Sequence, residues 1–156
     1  MHTPLLLLEV RRKRDALRAR RHARQLAALL GFEPREQACV AALVFEMTCQ
    51  LLNQGGKVRL RFGVDNDRLL VMPALTPGET AAAPLRIEKL LPRREPPVSS
   101  EDLGWILRQL NELAPVDVFE EVKRQNQDVL RLLLELQALE ARLTQLTPQQ
   151  AEPTAA

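Results

Sequence analysis

Along this chain, apolar residues first run together, then recur at helical spacing, then alternate, and each change of pattern marks a new element. Residues 4–9 (PLLLLE) form a brief apolar run, the pattern of a strand buried on one or both faces. Over 10–30, Ala16, Ala19, Ala23, Ala27 and Leu30 recur at steps of three and four beside Leu26, which predicts a helix stopped by Gly31. A second helix is predicted over 34–53, with Pro34 in its first turn and Ala38, Ala41, Ala42, Phe45, Cys49 and Leu52 on its apolar face. Residues 57–63 (KVRLRFG) alternate, with Val58, Leu60 and Phe62 on one side and Lys57, Arg59 and Arg61 on the other. That predicts a one-sided strand. A turn at Asp65-Asn66-Asp67 leads to a returning strand over 68–72, so the pair reads as a hairpin.

Residues 73–84 (PALTPGETAAAP) read as a loop, and 85–90 (LRIEKL) alternate again as a third strand. Prolines in 92–98 exclude regular structure there. Ser99 or Ser100 then caps a short helix with Glu101 and Asp102 in its first turn, ending near Leu113. The final helix is predicted over 116–146. Val118, Val122, Gln125, Val129, Leu132, Leu136, Leu139, Leu143 and Leu146 recur at alternating steps of four and three, a heptad seam with a polar layer at Gln125. Such a helix is about 43 Å long, too long to lie wholly against a small head, which points to a second chain as its cover. The tail 147–156 is polar and expected to be disordered.

Composition narrows the function. Aromatic residues make up only 3% and tyrosine is absent, so the core must be built from Leu, Val and Ala. The net charge of +2 is nearly balanced, but residues 11–24 hold eight basic side chains and one acid. Arg11, Arg14, Arg18 and Arg21 share one helix face, while Arg12, Arg20 and Arg24 point elsewhere. Without aromatic residues to stack bases, this face fits an acidic protein surface better than a nucleic acid. Cys39 and Cys49 read as buried reduced thiols, and no His/Cys spacing suggests a metal site. No apolar stretch approaches a membrane span, and a cytoplasmic protein is expected.

The stretch LRARRHARQLAALLGFEPREQACVAALVFEM resembles the first two helices of the RsbT-like anti-sigma regulatory kinases. These belong to the GHKL ATPase superfamily, with histidine-kinase and Hsp90-type ATPase domains. The segments LRIEKLLPRREPP and EEVKRQNQDVLRLLLELQALEARLTQL resemble the last strand of that domain and the helical linker found before PP2C-type phosphatase domains. The resemblance spans about residues 5–72 and 85–146. It implies an ATP site in which Glu46 orients the attacking group and Gln50 occupies the position of a magnesium-holding Asn. The family's Asp-x-Gly-x-Gly motif is missing: the chain reads VMPALTPGET after the hairpin. The segment between Met72 and Leu85 is too short for a phosphate-binding lid.

The expectation is therefore an α+β protein with a truncated GHKL ATPase-like sandwich at 1–92, its antiparallel sheet packed on two helices. A linker and short helix (93–115), a dimerising coiled-coil-like helix (116–146) and the tail follow. The expected function is non-catalytic: a cytoplasmic homodimer that binds a signalling regulator or phosphatase, with Glu46 and Gln50 a vestigial nucleotide site. No cofactor is expected. ATP and Mg²⁺ enter only under the alternative of a serine kinase with an atypical nucleotide site. A second alternative is nucleic-acid binding through the Arg-rich helix.

Overall fold

The computed structural model describes residues 2–55, 57–74, 85–113 and 115–150. The elements run β1 (His2–Val10), α1 (Lys13–Leu29), α2 (Pro34–Gly55), β2 (Val58–Asp65), β3 (Arg68–Pro73), β4 (Ile87–Leu90), α3 (Ser100–Asn111) and α4 (Val118–Gln150). The four strands form one antiparallel sheet in the order β1-β2-β3-β4. The architecture is α+β, as the pattern predicts. The loop expected over 73–84 lies mostly outside the described residues, as does the tail from 151. Residues 147–150 are helical, so α4 runs past the expected start of the tail.

The leucine run of β1 has a geometric explanation. Pro4 pairs with Gly63 and Leu6 with Phe62, so Leu5 is the extra residue of a bulge. The bulge shifts the phase of the strand, so Leu5 and Leu8, three apart, are both buried. Leu7 and Glu9 stay outward. As an edge strand, β1 also tolerates Pro4, which has no amide hydrogen to donate.

β1 continues to Val10, one residue into the expected helix, because Asp15 fixes where α1 begins. Its Oδ2 accepts hydrogen bonds from the backbone N–H of Arg11 (3.0 Å) and Arg12 (3.1 Å). Gly31 ends α1 with φ +90°, a conformation other residues rarely adopt. The Ala16, Ala19, Ala23, Leu26, Ala27 and Leu30 stripe is fully buried. On α2 the buried face is broader than the pattern suggested. Val40, Val44 and Met47 join Ala38 and Ala41 inside, while Ala42 is exposed and Phe45, Cys49 and Leu52 are half-buried. α2 packs on both α1 and β2, so two stripes are needed, and its VAALV run supports either.

Leu60, Phe62 and Val64 of β2 and Leu69 and Val71 of β3 share one core cluster with α1, α2 and α3. Burying each such side chain is worth about 1.5–3 kcal/mol. Here the boundary differs from the expected one at residue 92. Leu103, Ile106 and Leu110 of α3 sit in that cluster, so α3 belongs to the compact unit, Met1–Glu121, and is no spacer. Ser99 caps α3: its Oγ accepts from the Asp102 N–H at 3.1 Å, and the Asp102 carboxylate accepts from the Ser99 N–H at 2.9 Å. The second unit, Val122–Ala156, holds the rest of α4. No helix among the described residues is long and apolar enough to cross a membrane.

Candidate functional site

The first half of α1 and the outer edge of β1 border a groove of about 550 Å³. Leu6, Leu7 and Leu8 line one side in succession, so the strand meets the groove along its edge. Arg14, Arg18 and His22, one helical turn apart from each other, line the second side with Asp15. Leu110, Asn111, Leu113, Pro115 and Val116 close the third. Leu7 is 55% exposed there. Asp15 spends its carboxylate on the N-terminus of α1, and Arg14 and Arg18 are exposed with no ion-pair partner among the described residues. The charge the groove offers is therefore positive.

His22 is buried at the far end. Its Nδ1 lies 2.8 Å from the Arg18 carbonyl oxygen, which can only accept, so Nδ1 carries the proton. Burial pushes the His22 pKa below the ordinary value, and the charges of Arg18 and Arg21 add to this against the pull of the carbonyl. His22 is therefore a neutral donor rather than a third cation.

The basic face read from the sequence divides in the structure. Arg14 and Arg18 line the groove. Arg11 turns to Glu9 at 2.9 Å, and Lys57 meets the same carboxylate at 2.8 Å. These two cations pull the Glu9 pKa down to about 2, chiefly through the hydrogen bond from Lys57. Arg21 is half-buried and does not line the groove. Sequence reasoning missed His22 and the β1 edge. The Arg14, Arg18, His22 series at steps of four was the available signal.

It also missed a buried ion pair. Arg20 is 1% exposed, and its guanidinium lies 2.7 Å from the Glu121 carboxylate, itself buried, with Arg24 at 3.8 Å from the same oxygen. This pair ties the first turn of α4 to α1. Nothing local in the sequence links residues 101 positions apart.

Glu46 and Gln50 lie one turn apart on the exposed side of α2, where the Gln50 Nε2 donates to Glu46 Oε1 at 3.4 Å. Among the described residues no group of three His, Cys, Asp or Glu side chains is placed to hold a metal ion. Cys39 and Cys49 are free and half-buried rather than buried. Burial, helped by the Glu46 charge, raises the Cys49 thiol pKa, so it is a poor nucleophile. A second cavity, about 530 Å³, is lined by both signs of charge, including Asp67, Arg93 and Arg94. Within α4, Val122, Val129, Leu136, Leu139, Leu143 and Leu146 of the heptad seam are exposed, and Gln125 and Leu132 are half-buried. Leu130, Leu133 and Leu134 widen the exposed stripe.

No family model, curated protein or solved structure matches this chain.

Proposed function

We propose that this chain is a non-catalytic regulatory protein that works by binding proteins. The α4 helix joins two copies, and the α+β unit presents its surface to a signalling partner of the anti-sigma or PP2C-type phosphatase kind. The observation that carries this reading is α4, where leucines and valines stay in water at heptad spacing, Leu143 being 64% exposed. A monomer tolerates few contiguous apolar patches of that size. A second α4 covers the seam by knobs-into-holes packing, with Gln125 restricting register. The partner class rests on the sequence resemblance to partner-switching kinases and their phosphatase linkers.

Two experiments test the reading. In sedimentation velocity the protein runs as a dimer, and Leu132→Glu with Leu139→Glu runs as a folded monomer. A wild-type monomer at tens of micromolar overturns the dimer. Millimolar MgATP leaves the melting temperature nearly unchanged, since Glu46 and Gln50 bond to each other on an exposed face and the adenine-reading Asp is missing. Saturable stabilisation lost in Glu46→Ala overturns the pseudo-ATPase part, because a ligand selective for the native state must raise stability.

A further inference from the structure

We propose that the groove beside β1 docks an extended acidic segment of a partner protein, which adds to β1 as a strand and sets carboxylates on Arg14 and Arg18. This rests on the reading of the chain as a protein-binding regulator and does not depend on α4. Two separate observations converge on it. β1 ends the sheet, and β2 is the strand paired with it among the described residues, so its other edge carries backbone donors and acceptors that a strand can satisfy. Along the same groove stand two exposed guanidiniums that no carboxylate of the described chain reaches.

The spacings agree. Arg14 and Arg18 are four residues apart on a helix, a rise of about 6 Å, and alternate side chains on a strand repeat at about 6.6–6.8 Å. An acidic residue at every second position thus presents one carboxylate to each guanidinium, where planar charge-assisted hydrogen bonds form. The intervening side chains fall on the opposite face of the sheet, beside the exposed Leu7, so apolar residues belong there. A helix fits less well, because its backbone groups are already paired and would leave the β1 edge unmatched. A nucleic acid fits less well too, since two cations without a stacking ring give little affinity.

The test uses the full chain and a fluorescein-labelled synthetic peptide that alternates glutamate and valine, with the lysine–valine peptide as control. Fluorescence anisotropy should show saturable binding of the glutamate peptide and none of the lysine peptide. Arg14→Glu with Arg18→Glu should weaken binding by about tenfold or more. Should that variant fold poorly, Arg14→Gln with Arg18→Gln removes the charges without reversing them. Bound peptide should slow amide hydrogen exchange in Leu6–Leu8, the signature of strand addition. Absence of binding, binding indifferent to both double variants, or binding with unchanged exchange at β1 overturns the proposal. So does a glutamate peptide that fails while a single-stranded oligonucleotide binds through Arg14 and Arg18, or while reversing these arginines alters sedimentation. A monomeric wild-type protein that still binds the peptide defeats the α4 dimer and leaves this docking site standing.

Discussion

Helices α1 and α4 draw on the same residue types, and the protein treats them oppositely. α1 (KRDALRARRHARQLAAL) is crowded with arginine, yet it is buried on most sides, including Arg20 and His22. α4 carries a run of leucines, yet all of them but the half-buried Leu132 are exposed. The difference lies in the neighbours. α1 packs on α2, β1 and α3, and its alanines let these elements approach closely. In that setting Glu121, from another helix, neutralises Arg20. A polar-looking helix is thus the more dependent on tertiary structure, while the apolar one keeps its stripe exposed.

The comparison breaks most sharply at the buried pair. Glu121→Ala removes the buried carboxylate that lies 2.7 Å from the Arg20 guanidinium, and urea denaturation should register a loss of about 3–5 kcal/mol. Arg20→Met combined with Glu121→Leu should recover most of it, since apolar groups of similar volume replace a buried pair at little cost. If Glu121→Ala unfolds like the wild type, the burial of α1 owes nothing to this pair.

On α4 the expected sign is reversed. Leu132→Glu with Leu139→Glu should leave the α+β unit's unfolding midpoint unmoved and abolish association, each leucine removed from the seam costing about 1.5–3 kcal/mol. A fall in the midpoint of the α+β unit measured on monomer would make α4 a helix like α1, buried by its own chain.

Acid titration gives a smaller effect. The folded His22 pKa lies below that of the unfolded chain, so unfolding takes up a proton as pH falls. Its contribution is complete above the ordinary value of 6.5 and is lost as pH drops toward the folded value. Stability measured from pH 8 downward should begin to decline below about 6.5, and His22→Gln should flatten that first decline. Glu9 and Asp102, whose pKa values are also lowered, lose their contribution only in more acidic solution, Glu9 toward about 2. The two windows are therefore separable in one titration.

The smallest expected change is the stability of Arg14→Glu with Arg18→Glu. Both side chains are exposed and have no ion-pair partner among the described residues, so the unfolding free energy should move by no more than about 0.5 kcal/mol. A larger loss would place these arginines with Arg20 as structural residues.

Local pattern alone was enough for much of this molecule. Alternation placed Val58, Leu60 and Phe62 inside and Arg59 and Arg61 outside, since a strand's period of two leaves no other choice once one face is buried. Ser99, Gly31 and Pro34 marked helix ends because each solves a backbone problem at its own position. Heptad spacing fixes which side chains of α4 form a stripe, and a step of four puts Arg14 and Arg18 on a common face of their helix. Long-range contacts decided the rest. The bulge at Leu5 depends on pairing with β2. The wider buried face of α2 depends on having both α1 and β2 as neighbours. α3 joins the core, Arg20 finds Glu121, and β1 becomes the open edge beside two arginines only when distant segments come together. The groove and the buried pair belong to that second class: periodicity reports the face a residue occupies, and only the folded chain supplies what that face meets.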